Sequence, residues 1–232
     1  MGRPAAERRE ELVALYHEAR ACTLCPLAQS RTQVVFGNGN ADADLMFVGE
    51  GPGANEDAQG IPFVGRAGKL LDELLRENGM RRDDVFVTNV VKSRPPGNRD
   101  PEPAEIQACR PYLQRQIELI EPRVICTLGN FATKLLSGSR QGISKVHGAA
   151  QPRELAHRQV WLYPLFHPAA ALRTPKVRQQ LTDDFARIPG MLADPPPTAP
   201  AGGTVVQSAP EQQLAVSGGQ QPRVEHQLGL FG

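Results

Sequence analysis

Four cysteines, Cys22, Cys25, Cys109 and Cys126, form a C-x2-C pair, a gap of 83 residues, and a C-x16-C pair. Two thiolates separated by two residues can bind one metal centre from a single turn, and Pro26 stiffens that turn. If the remote pair closes the same site, four thiolates suit tetrahedral zinc or a [4Fe–4S] cluster, and spacing does not choose between them. Cys is also among the most buried residue types, so Cys109 and Cys126 fit an apolar core equally well. A second cluster is the run Gly49 to Gly68, GEGPGANEDAQGIPFVGRAG, where glycines allow close backbone approach to a ligand. It matches neither G-x-x-x-x-G-K-[ST] nor G-x-G-x-x-G, which disfavours nucleotide binding. Its carboxylate Glu50 could orient water or stabilise developing positive charge, while Glu56 and Asp57 follow close behind. Asn89, in VFVTNVV, offers a donor and an acceptor on one amide, a costly group to bury unpaired. His167 opens HPAAALRTP.

These residues must be positioned by alternating elements. Apolar, β-branched runs predict strands over 44–48, 85–91, 123–128 and 160–166, the last containing Pro164, which suggests an edge or a bulge. Leu70, Leu71, Leu74 and Leu75 recur at helical spacing in 67–79, and helices are also expected over 103–120, 130–136 and 174–192. Apolar strands joined by helices imply an α/β fold with a mainly parallel sheet covered on both faces. In such folds the site lies at the carboxyl ends of the strands, where the polar motifs begin.

The chain has 232 residues, 26 Lys+Arg against 25 Asp+Glu, and a formal charge of +1, so any attraction for nucleic acid must come from a local face. From about residue 194 Pro, Gly, Gln, Ser and Ala dominate, predicting a folded domain over 1–192, a disordered linker over 193–226 and a terminal peptide over 227–232. No apolar run is long enough for a membrane span, and MGRPAAERREEL lacks the apolar centre of a signal peptide. A cytoplasmic setting, with reduced thiols, is expected.

The motifs GEGPGANEDAQGIPFVGRAGKLLD, TNVVKSRPPGNRDPEPAEIQACRPYL and HPAAALRTP, with the four Cys, closely resemble the family 4, iron–sulfur, uracil-DNA glycosylases over about residues 10–190. The resemblance implies an αβα sandwich, a [4Fe–4S] cluster on all four Cys, and removal of uracil from DNA. It places Phe63 as the platform stacking on the flipped base and Asn89 as reader of the uracil O4/N3 edge. Glu50 becomes the catalytic carboxylate, Gly51 part of the pocket wall, and Glu56 a second water-positioning or structural group. His167 would hydrogen-bond uracil O2, and Leu172 or Arg173 would fill the gap left by the base. Lys92 and Arg94, with Arg66 and Arg99, could hold phosphates. His147 stands where many members are expected to carry Arg.

No Lys stands at the predicted catalytic positions to form a Schiff base, so a monofunctional glycosylase is expected, and separately a monomer. A covalently trapping relative would carry a nucleophilic His in an inserted basic loop, but KSRPPGNRD has none. A non-catalytic iron–sulfur DNA-binding module is the other alternative. Gln227, Leu228, Leu230 and Phe231, in the terminal QLGLFG, resemble the peptide with which bacterial repair proteins bind the sliding clamp.

Overall fold

Every residue of the three strands over 45–49, 86–89 and 124–128 is buried because both faces of the sheet are covered. In the computed structural model, which describes residues 3–194 and 196, the elements run α1 (Ala5–Ala21), α2 (Leu27–Ser30), β1 (Asn38–Gly39), β2 (Leu45–Gly49), α3 (Ala54–Gln59) and α4 (Arg66–Glu77). Then follow β3 (Phe86–Asn89), α5 (Pro103–Ile120), β4 (Val124–Leu128), α6 (Asn130–Ser137), α7 (Ile143–Val146), β5 (Gln151–Leu155), β6 (Arg158–Leu165), α8 (Pro168–Ala171), α9 (Pro175–Phe185) and α10 (Ile188–Ala193).

The sheet order is β1-β3-β2-β4-β6-β5. The four inner strands are parallel, and the short β1 and β5 close the two edges antiparallel. Strand alternation sorts the side chains into two cores. Met46, Val48, Phe86, Ile125 and Leu162 meet α1 and α5 through Leu12, Leu15, Tyr16, Tyr112, Leu113 and Ile117. Leu45, Phe47, Val87, Cys126 and Tyr163 meet α4 and α9 through Leu70, Leu71, Leu74, Leu75, Leu181 and Phe185. The αβα sandwich expected from the sequence is this pair of cores. Each fully buried Leu or Phe contributes roughly 1.5–3 kcal/mol to holding a layer in place.

Three local departures have physical causes. Pro164 lies on an inner strand, paired with Thr127 of β4, rather than at an edge. Its missing N–H costs no ladder bond because β5 pairing ends at Gln151–Leu162, and the Pro164 carbonyl accepts from Gly148 N–H at 2.9 Å. The long final helix is two helices, since Pro189 in the first turn of α10 starts a new segment after Phe185. The strand expected to reach Val91 ends at Asn89, after which Val90 and Val91 N–H groups bond the carbonyls of Gly49 and Glu50 at 2.9 and 3.1 Å. That pairing locks the end of β3 beside the loop after β2. Most of the predicted linker, and all of the peptide at 227–232, lie outside the described residues. Among the described residues no helix is long and apolar enough to cross a membrane.

Candidate active site

Four parallel strands deliver the site from their carboxyl ends: Glu50 follows β2, Asn89 closes β3, Gly129 follows β4 and His167 follows β6. Asn89 is only 1% exposed, and its amide Oδ1 is buried with no hydrogen-bond partner. Such an atom forfeits its solvation, so its place in a stable fold calls for a ligand donor. The space beside it exists because residue 49 has no side chain: a methyl there would land on the Asn89 amide oxygen and 2.7 Å from Phe63 Cζ.

Phe63 completes that space in a left-handed backbone conformation, φ 55°, unusual for an aromatic residue and held by its surroundings. Glu56 supplies the main restraint, its Oε1 accepting from the N–H groups of Val64 and Gly65 at 3.0 and 2.9 Å. Gly68 lets α4 press against the Phe63 backbone, where any side chain would collide. Glu56 therefore anchors the Phe63 loop, the structural one of the two roles the sequence left open. Asp57 is buried likewise, accepting from Thr32 N–H at 2.9 Å, and is no solvated loop residue. Gly51 packs tightly, an added Cβ falling 2.8 Å from Val91 Cγ2.

The His167 ring lies 5.6 Å from the Phe63 ring at an interplanar angle of 28°. Its Nδ1 accepts from Ala169 N–H at 3.1 Å, which leaves the proton of the neutral ring on Nε2. Burial lowers its pKa to about 4, against a smaller opposing pull from Glu56, so the ring is neutral near pH 7. Glu50 is half-buried, and burial, then the negative charge of Asp100, raises its pKa above the ordinary value.

The rim differs from expectation at Lys92, which was expected to touch phosphate. The side chain turns inward, 2% exposed, with Nζ donating to Thr88 Oγ1 at 2.7 Å, Asn89 O at 2.7 Å and Gln116 Oε1 at 2.6 Å. Arg99 is also committed elsewhere, paired with both oxygens of buried Glu105 at 2.9 and 2.6 Å. Arg66 and Arg173 are exposed, whereas Arg94 is partly buried and donates to Asn98 Oδ1 at 2.7 Å. Leu172 is partly buried against the α4–α9 core. His147 is held by Asp184 at 2.7 Å and its ring packs 4.3 Å from that of Phe166.

The cysteines divide three to one. Cys22 and Cys25 pack against the core that contains Cys109. The Cys109 thiol donates to Cys25, which holds Cys25 well below the usual thiol value, while the hydroxyl of Tyr112 faces Cys22. Lys92 N–H reaches Cys109 Sγ at 3.5 Å. Cys126 lies on the opposite face of β4, fully buried with Phe47 and Tyr163, and that apolar setting pushes its thiol well above the usual value. Among the described residues no group of three or more His, Cys, Asp or Glu is gathered closely enough to hold one metal ion.

A model of the uracil DNA glycosylase superfamily matches residues 36–187. The type-4 uracil-DNA glycosylase of Thermotoga maritima is 51% identical over 168 residues, 71% of this chain and 85% of the relative. That of Sulfurisphaera tokodaii is 46% identical, covering 80% and 87%, and that of Archaeoglobus fulgidus 42%, covering 82% and 97%. The chain belongs to the type-4 uracil-DNA glycosylases.

For a type-4 uracil-DNA glycosylase, the four-Cys cluster implied by the resemblance does not fit: sheet alternation removes Cys126 and leaves three thiols on one side. The alternation of RVICTL, with Ile125 and Cys126 on successive positions, carried that signal, but which face met the other cysteines was not readable. Two glycosylase site residues escaped sequence reasoning altogether. Gly49 was one glycine among several, and Ala169, whose N–H fixes the His167 tautomer, has no distinguishing side chain.

Proposed function

We propose that the chain extrudes uracil from DNA and hydrolyses its N-glycosidic bond, leaving an abasic site for base excision repair. The observation that carries this reading is the unpartnered amide oxygen of Asn89 in a gap bounded by Gly49 and Phe63. That oxygen accepts from uracil N3–H and the amide N–H₂ donates to O4, a pairing that cytosine, with an acceptor at N3 and a donor amine at C4, opposes. Phe63 supports the face of the extruded base. As the C1′–N1 bond breaks, its electron pair leaves with uracil and collects toward O2, where His167 Nε2–H donates. A neutral imidazole makes that bond without delivering its proton. Glu50, as carboxylate, orients a water toward the sugar carbon and takes the proton the water loses as the C1′–O bond forms. Leu172 or Arg173 would fill the vacated stack, while Arg66 and Arg94 would serve phosphate contact.

Cys22, Cys25 and Cys109 would supply the thiolates of an iron–sulfur cluster fastening the C-terminal end of α1 to α5, and base removal uses none of its chemistry. The peptide at 227–232 would dock on the sliding clamp, the chain otherwise acting as a cytoplasmic, nucleoid-associated monomer. Clamp capture unchanged on deleting 227–232 refutes that part.

The test is incubation of the purified full chain with single- and double-stranded oligonucleotides holding one uracil, followed by alkali. Strand cleavage at the uracil position is expected, and Asn89→Ala and Glu50→Gln should abolish most of it. An intact oligonucleotide would leave a non-catalytic module, and an alkali-stable protein–DNA adduct would favour a covalently trapping enzyme.

A further inference from the structure

The Lys92 amine is fully buried with no carboxylate among its hydrogen-bond partners, and burial lowers its pKa to about 7. A buried amine forfeits its hydration, and its donors must find acceptors inside the fold. Here the acceptors are Thr88 Oγ1, Asn89 O and Gln116 Oε1. The acceptors are themselves fixed, because Thr88 Oγ1 and Gln116 Nε2 both donate to Phe36 O, at 2.7 and 2.8 Å. Amine, hydroxyl and amide therefore form one closed network beneath the last two residues of β3. At the other end of the same residue, the main-chain N–H of Lys92 reaches Cys109 Sγ.

We propose that Lys92 is a positioning residue for base recognition, its side-chain amine clamping the Asn89 carbonyl and so the aim of the Asn89 amide, and its backbone joining that clamp to the Cys109 thiol. The inference rests on Asn89 reading the base. The strand ends at Asn89, and its side chain leaves the backbone at the point the amine holds. Removing the clamp frees the peptide that carries the amide, without touching phosphate.

The test uses the full chain in single-turnover uracil excision, with affinity for uracil-free DNA measured in parallel. Lys92→Met should slow excision roughly 10- to 100-fold, the worth of one or two buried hydrogen bonds, with affinity for uracil-free DNA unchanged. Lys92→Gln keeps a donor toward Asn89 and should recover most of the rate, and it stands in for the Met variant should that one not fold. In the double variant with Asn89→Ala, the Lys92 loss should vanish, because a clamp has no effect on an amide that is absent. Full activity of Lys92→Met, losses that multiply with Asn89→Ala, or a Lys92→Gln variant that folds but excises no faster than Asn89→Ala would each overturn the proposal. Weakened binding to uracil-free DNA with normal excision at saturation would return Lys92 to a phosphate-contact role and overturn it too. If Asn89→Ala alone excises normally, the reading of the base site fails instead, independently of Lys92.

Discussion

At the scale of single residues, the pocket depends on one missing methyl. Gly49→Ala places a carbon against the Asn89 amide oxygen and the Phe63 ring, so uracil cannot seat without displacing one of them. We expect single-turnover excision to fall about 100-fold or more, the usual effect of an ångström-scale misplacement, with a melting temperature close to that of the parent. Glu50 gives a pH signature. Because the Asp100 charge helps raise its pKa, Asp100→Asn should lower it, and the acid limb of the kcat/KM profile should move to lower pH. An acid limb that stays in place or moves upward would detach Glu50 from the limiting ionisation. The family motifs pointed to Asn89, Phe63 and His167, which the fold brings together at one strand-end site. The role of Gly49 was not legible there, because a space is defined by neighbours from other parts of the chain.

At the scale of elements, the helices over 103–120 and 130–136 and the strand over 123–128 were readable almost to the residue, since apolar periodicity and terminal Pro or Gly mark them locally. What periodicity does not carry is which face of a strand meets which helix. That gap explains both misplaced residues, Cys126 and Lys92. Cys126 alternates onto the α4–α9 side of β4, and Lys92 continues past β3 into the α1–α5 side instead of outward. The consequence is measurable in metal content. With the proposed cluster in place, Cys126→Ala should retain its iron and lose roughly 1 kcal/mol of stability for the small void left in a sealed core. Cys109→Ala should lose the iron; equal retention by both variants, or equal loss, would reject the three-to-one division.

At the scale of the whole molecule, neutral His167 ties fold stability to pH. Its folded value of about 4 lies below the ordinary value of 6.5, so the unfolded chain binds the extra proton first as pH falls. The stabilisation is complete above about pH 6.5 and is lost progressively as pH falls toward about 4. Urea midpoints should fall across that window, and His167→Asn should flatten the slope; an unchanged slope would mean that other groups set it. The sheet order has a further consequence. Glu50, Asn89 and His167 follow three different parallel strands, and Phe63 reaches them from a loop pinned to α4, so no fragment shorter than the span from β2 to His167 contains all four. Parallel strands pair only after long crossovers have closed, which makes them late to assemble. Catalytic competence is thus an all-or-nothing report on assembly: a chain released with one crossover unmade leaves uracil in the DNA.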